Sequence, residues 1–410
     1  MENHRKHFLY AKHQPYWGFV LRRPQWKYTC NYENKSIRRS NVKFVTIYIC
    51  IEAVLLVLLF KKKPHHIGYS LISIGLLLIS AFRAESVGTD VVNYIIEYNL
   101  HGIETWKESF TNSEYTFAIY CKFLNVLGLK ERGFLIATAI LFAMLLMIAL
   151  HVNHCDKILT FSLFYFAGLY LQSFCIIRQS LAIVTALISY SSLEKNYSIQ
   201  MPYNKGRFQR FPIGFVIGMI IAIGFHPTVI VLFALPVMML FYGQKRCRKP
   251  SVFLRDGILC MSAALIILPV LYPFILQHSK EKYQVLYGGS YVTGPFGNWK
   301  SGILLVALYL IFYIAYYNNW KKLTEKENII VGSVIMLAFA CSSLSIINST
   351  LGRTNLFFEG LMVLMLGKLL SHRYTRIKSI NFYVILVFSA FFILYLMRDS
   401  IVVVPYKIWQ

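Results

Sequence analysis

The chain is 410 residues long, 57% hydrophobic and 16% aromatic, with a mean hydropathy of +0.52. Charged residues make up 15% of it, against roughly 25% in soluble proteins, yet Lys and Arg outnumber Asp and Glu 42 to 18, a formal net charge of +24. Few charges, nearly all of one sign, exclude a large soluble enzyme domain and point to a membrane protein. One bilayer crossing takes roughly 20 apolar residues, so the composition has room for about twelve. The basic excess does not indicate nucleic acid as a partner, because the cations sit in short clusters between apolar runs and not on one polar face.

In chain order, apolar runs bounded by charges predict spans at 44–60, 67–82, 133–152, 158–176, 179–193 and 211–225, then 227–242, 257–277, 302–317, 329–346, 354–370 and 381–396. Tyr115–Leu129 is amphipathic, short and carries Lys122 in its middle, which predicts an interfacial or re-entrant helix. The expected fold is an all-α polytopic membrane bundle of about twelve transmembrane helices plus that extra helix. Residues 44–410 form one membrane domain, with outer loops at 83–132 and 278–301.

Orientation follows from the loop cations, since Lys and Arg concentrate on the cytoplasmic side. One alternating set of loops holds nineteen, among them Lys61 to Lys63, Lys195, Arg246, Lys249 and Arg376; the opposite set holds twelve, although it includes the two longest loops. The first set is assigned to the cytoplasm. The basic tail 1–43 breaks the pattern, since the same topology puts it outside. No apolar core in it reads as a signal peptide, and the next methionine is Met144. The expectation is a natural start near Val42 at a non-Met codon, checked by N-terminal sequencing; the alternative is a genuine tail with a locally inverted first span.

With this topology the informative polar residues fall on the outer side. Arg83 precedes Gly88, Thr89, Asp90, Asn93 and Tyr94, where Thr89 or Asp90 fits a helix N-cap and Asp90, Asn93 and Tyr94 share a face. Glu114 opens the amphipathic stretch. Arg178-Gln179 separates two apolar runs with almost no loop, His226-Pro227 does the same with Pro at a first helical position, and Arg353 sits at another outer turn. The last long outer loop holds Tyr283, Tyr291 and Trp299.

Each residue also has a plain reading. The arginines snorkel to headgroups, Asp90 caps a helix, His226 is structural, and the loop aromatics form an interfacial belt. Against this stands their joint placement on one face, where ionisable groups near a membrane are functional candidates. The eight cysteines have no zinc or redox spacing, His65-His66 lies among lysines, and neither a Walker loop nor a dinucleotide fingerprint occurs. No cofactor and no metal site is expected.

The ordered set Arg83, Gly88-Thr89-Asp90, Tyr94, Glu114, Arg178-Gln179, His226-Pro227-Thr228 and Arg353 resembles the hallmark pattern of the EpsG family of Wzy-like polysaccharide polymerases, over about Val42 to Leu370. Glu114-Tyr-Thr-Phe matches that pattern loosely, and the tail has no counterpart in it. The resemblance implies a bacterial inner-membrane enzyme joining undecaprenyl-diphosphate-linked oligosaccharide repeat units at the outer leaflet. Its product would be O-antigen, capsule or exopolysaccharide, and its fold would be similar to the lipid-donor (GT-C-like) glycosyltransferases. Its partners would be the lipid bilayer, a flippase and a chain-length regulator.

The residue chemistry agrees with that reaction. Guanidinium groups bind diphosphate oxygens bidentately, which assigns Arg178 and Arg353, with Arg83 as a third candidate, to the leaving group and Gln179 to substrate binding. The acceptor hydroxyl needs a base, for which Asp90 is first and His226 or Glu114 the substitute. Tyr94, Tyr283, Tyr291 and Trp299 would stack on sugars. A flippase or transporter of lipid-linked oligosaccharide is one rival, although no repeat relates the two halves. A membrane acyltransferase with His226 as base is the other.

Overall fold

The computed structural model describes residues 47–59, 66–88, 90–200, 205–208, 210, 212–245, 249–277, 299–347, 352–371 and 378–398. The chain divides into Met1–Phe44, outside those residues, and Val45–Gln410, which contains every element below.

The described helices are α1 (Ile47–Leu59), α2 (His66–Ala81), α3 (Val91–Ile103), α4 (Trp106–Asn112), α5 (Tyr115–Val126), α6 (Glu131–Val152), α7 (Lys157–Phe166), α8 (Leu169–Gln172) and α9 (Ile177–Asn196). A two-stranded hairpin follows, β1 (Tyr197–Gln200) antiparallel to β2 (Lys205–Phe208) with Tyr197 opposite Phe208. Beyond it come α10 (Ile213–Phe225), a 3-10 helix over Pro227–Phe233, α11 (Ala234–Lys245), α12 (Pro250–Gln277), α13 (Trp299–Asn319), α14 (Glu325–Ile347), α15 (Asn355–Leu369) and α16 (Lys378–Arg398).

Helix occupies each of the twelve apolar runs, and five stretches among the described residues are long and apolar enough to cross a membrane: Glu131–Val152, Pro227–Gln244, Pro250–Leu271, Gly302–Lys322 and Glu325–Ile347. The run 158–176, expected as one span, is broken. α7 ends at Phe166, Gly168 takes φ +76° and only a single turn, α8, follows before Ser173. Pro227 lacks an N–H, so the next run but two opens as a 3-10 turn before it becomes α11. The amphipathic stretch forms α5, whose 12 residues span about 18 Å, too short to cross.

The centre of the bundle is built from α9, α14 and α15, nearly all of whose residues are buried. The outer helices expose large apolar side chains instead: Ile266 and Val270 of α12 are 73% and 75% exposed. Apolar surface turned outward, with backbone groups paired inside helices, is what a bilayer selects. The protein is an all-α membrane protein.

Close helix approach depends on small residues facing bulky ones. Gly257 of α12 lies beneath Phe339 of α14, and Gly332 of α14 lies beneath the ring of Phe253 of α12, where a Cβ would stand 2.4 Å from the ring. Along α10, Gly214 and Gly218 face Ser192 and Ser189 of α9, and a Cβ on Gly218 would lie 1.9 Å from Ser189 Oγ and 2.8 Å from its Cβ. Rotating the hydroxyl cannot relieve the second contact. Gly218→Ala is therefore expected to part α9 from α10 and to lower stability by about 1–3 kcal/mol, read as a lower melting temperature in detergent. Ser189→Gly in the same chain should restore most of the loss.

Candidate functional site

Helix N-termini converge at one end of the bundle. Asp90 occupies the N-cap position of α3, but its side chain makes no capping hydrogen bond; its Oδ2 lies 3.8 Å from Arg353 Nη1, in the turn before α15. Glu114 occupies the N-cap position of α5, again without a side-chain cap, and its carboxylate instead pairs with Arg178 Nη1 at the start of α9. The capping reading of Asp90 is thus replaced by an ion-pair geometry that joins α3 to α15.

Arg178 is the hub. Its Nη1 also lies 3.2 Å from Glu97 Oε1, and its guanidinium stands over the rings of Tyr94 and Phe117 at 5.4 and 5.5 Å. Its Nε is buried without a hydrogen-bond partner, which leaves a directed donor. The neighbouring Gln179 is buried, and its Nε2 donates to the carbonyl of Arg353 at 2.6 Å. That bond seats the Arg353 turn on α9. Asn355 holds the other side of the turn, its Nδ2 donating to Cys341 O at 2.9 Å and Ser345 Oγ at 2.8 Å on α14.

His226 sits between α10 and the 3-10 helix, where Pro227 forces the break. Its Nδ1 is 2.7 Å from Thr228 Oγ1. Burial, and then the positive charge of Arg178 and Arg353, push its pKa down to about 4, with Glu114 opposing. The imidazole is therefore neutral at physiological pH and a weaker base than an ordinary histidine. Tyr94 is pushed up to about 12, chiefly by burial, so its phenol stays a donor.

α3 is held in place from below. Lys122 of α5 is buried, and its Nζ donates to the carbonyls of His101 at 2.9 Å and Glu104 at 2.6 Å, capping the C-terminal end of α3. At the other end, Gly88 takes φ +109°, and a Cβ there would stand 2.6 Å from Phe174 O, so only glycine fits the turn that delivers Asp90.

Asp90, Tyr94, Glu114, Arg178, Gln179, His226 and Arg353 are thus brought together. Arg83 is placed differently. It is 1% exposed, its Nη1 donates to Ser80, its guanidinium stacks on Phe174 at 5.2 Å, and it lines a small cavity with Ile177, Ser180 and Leu181, a face of α9 turned away from Arg178. Arg83 supports α9 from behind. Asn93, expected to share a face with Asp90, is exposed. Tyr283 and Tyr291 lie outside the described residues, as do Thr89 and the side chain of Trp299.

Glu97 is the member that sequence reasoning missed. It follows Asp90 and Tyr94 at i+7 and i+3, so the helical spacing that grouped those two also reaches Glu97. Among the described residues no group of three His, Cys, Asp or Glu is arranged to hold a metal.

The fold and this cluster define a polytopic all-α membrane protein with an ionised site where its helix N-termini meet. Residues 66–408 match the EpsG family, and the chain belongs to that family, a Wzy-like polymerase family. Its role is glycosyl transfer in polysaccharide biosynthesis. No curated protein and no solved structure matches the chain.

The His226 shift is directly testable. NMR of histidine-labelled protein in detergent should show one imidazole titrating near pH 4, the His226 signal being assigned by its loss in His226→Gln; a titration near the ordinary value of about 6.5 would refute the buried, doubly cationic setting described.

Proposed function

We propose that the protein joins undecaprenyl-diphosphate-linked oligosaccharide repeat units into a surface polysaccharide, O-antigen, capsule or exopolysaccharide, at the outer leaflet of the bacterial inner membrane. In this reading the apolar runs make about twelve crossings of a bundle similar to GT-C-like glycosyltransferases. The positive-inside asymmetry of the loops supports an outer position for the Arg178 cluster. A flippase and a chain-length regulator are its partners. The observation that carries the reading is the pairing of two guanidiniums with uncapped carboxylates at converging helix N-termini. Such a place offers guanidinium donors and helix dipoles to a diphosphate, and it keeps a base beside them.

In the reaction an acceptor hydroxyl oxygen bonds to the anomeric carbon of the donor sugar as the bond from that carbon to the diphosphate oxygen breaks. The electron pair leaves with undecaprenyl diphosphate, and the hydroxyl proton goes to the base. Arg353 is 49% exposed and 3.8 Å from Asp90, so it is the guanidinium open to an incoming diphosphate. When it turns to the phosphate oxygens, Asp90 loses its partner and is left to take the proton. Arg178, fixed by Glu97 and Glu114, adds its charge to the field at the leaving group. Electrostatic stabilisation of that developing charge is commonly the largest catalytic term. His226, neutral and beside Thr228, is the alternative proton acceptor, and Tyr94 donates to the sugar.

Removing Arg178 leaves two part-buried carboxylates uncompensated, at a cost of about 3–5 kcal/mol for a fully buried pair, less here. Arg353→Ala and Asp90→Asn are cleaner tests. Each should abolish long-chain polymer by at least about 100-fold, with protein level and single-unit-capped product unchanged. The control Arg246→Gln should leave the polymer ladder as in wild type. Chain extension by purified protein on synthetic lipid-diphosphate repeat units, in detergent and without a gradient, is the expected positive result. A normal ladder in Arg353→Ala removes that guanidinium from the site.

A further inference from the structure

A second polar chamber lies at the far end of the same helices. α9 begins beside Arg178 and ends at Glu194 and Lys195, about 25 Å away at 1.5 Å per residue. There a cavity of 330 Å³ opens between the C-terminal ends of α6, α9 and α15 and the N-terminal end of α14, lined by Lys195, Lys326, Lys368, His154, Glu194 and Glu327. Ligand pockets begin at about this size.

The two carboxylates in the chamber are already engaged. Glu194 pairs with Lys368 at 2.7 Å. Glu327 closes a capping box on Thr324, accepting from its N–H and its hydroxyl at 2.8 Å each. Lys195 and Lys326 have neither ion pair nor hydrogen bond among the described residues, and Lys326 is half-buried. Glu194 and Glu327 act on Lys326 only through space, so two ammonium groups face the polar space without an ion-paired or hydrogen-bonded partner among the described residues. His154 joins them from the turn after α6, where it holds φ +53°, a left-handed conformation among the described residues otherwise taken by glycine. Strain of this kind persists where the surroundings impose it.

The chamber also has an apolar annex. A crevice of 30 Å³ shares Glu194, Glu327 and Lys368 with it and runs between Tyr190, Ile330 and Met365. A charged compartment opening onto an apolar slot between helices fits an anionic head with an apolar part attached, and the compartment alone fits a free anion.

We propose that this chamber is a binding site for a phosphate-bearing anion, with the ammonium groups of Lys195 and Lys326 as its ligands and His154 beside them. It stands apart from the Arg178 cluster in position and in residues, so it does not rest on the polymerase reading. Two sources can supply the phosphate: a soluble phosphate compound or the headgroup of an anionic lipid.

The test uses the full chain in phosphatidylcholine nanodiscs. One arm titrates inorganic phosphate and follows the melting temperature. The other includes phosphatidylglycerol and counts lipids retained on the protein by native mass spectrometry. Wild type should bind at least one probe, and Lys195→Gln with Lys326→Gln should weaken that binding about tenfold or more, as loss of two charge-assisted bonds requires. Without ligand the double variant should melt close to wild type, because neither lysine gives up an ion pair or hydrogen bond among the described residues. Lys195→Gln alone, at an exposed position, should weaken binding about threefold, which keeps the test usable if the double variant folds poorly. Lys157→Gln, off the chamber, should bind normally. A response to inorganic phosphate identifies a soluble source, and retention of phosphatidylglycerol alone identifies a headgroup. Failure of wild type to bind either probe, or variants that bind as wild type does, overturns the proposal.

Discussion

A guanidinium set into a membrane protein must be compensated where it stands, and much of this fold can be read from how Arg178 meets that demand. Its Nη1 faces two carboxylates, Glu97 from α3 and Glu114 from α5. Neither acid comes from its own helix, so compensating one charge draws two short helices onto the end of α9. Those helices are then fastened independently of the charge: Lys122 of α5 caps α3, and Asn125 of α5 donates to Tyr98 O at 3.1 Å. The α3–α5 pair is thus a preassembled clamp closed around the guanidinium, and the rings of Tyr94 and Phe117 seal it.

The same logic explains why the acids sit where they do. α3, α5, α9 and α15 all begin at this end, and each helix N-terminus carries a partial positive charge. Two guanidiniums are added to that field. Asp90 and Glu114, each at an N-cap position, complement a dipole while their side chains reach across to an arginine on another helix. A capping hydrogen bond would have turned both carboxylates inward. Forgoing it leaves them outside the helices, one with Arg178 and one with Arg353, and makes the cluster a junction between elements.

Much of this was legible in sequence because the turns at Arg178, His226 and Arg353 are short and polar residues at them are few. Arg178, His226 and Arg353 each interrupt an apolar pattern, and interruption is visible in one dimension, while Asp90 and Glu114 stand where a polar stretch gives way to a helix. Glu97 escaped notice because it lies inside a helix that is polar on several faces, where one more glutamate interrupts nothing. Arg83 stands apart from the cluster for a reason that sequence does not record. It stands at the same kind of boundary as Arg178, yet a rotation around α9 that no linear pattern records sends it behind the helix, against Ser80 and Phe174. The break after α7 depends on one positive φ at Gly168, and a glycine in an apolar run reads equally well as continuous helix. The β1–β2 hairpin was missed because two paired strands of four residues each are too short to leave a periodic trace.

The rigidity of the bundle decides what the cluster can and cannot do. α14 and α15 are buried on nearly every side, and the glycine–aromatic contacts of α12 with α14 leave no room for sliding. Arg178 is fixed by two acids, two rings and the helix it begins. Movement is therefore confined to the one guanidinium that is half exposed, that of Arg353, whose backbone is tethered by Gln179 and Asn355 while its side chain is not. A site built this way has a fixed charge and a more exposed one, and the exposed one is paired, at 3.8 Å, with Asp90, the base of the proposed reaction. Recruiting Arg353 to any anionic ligand necessarily changes the environment of Asp90. Under the proposed function, binding and base activation are thereby linked by geometry, without a moving helix.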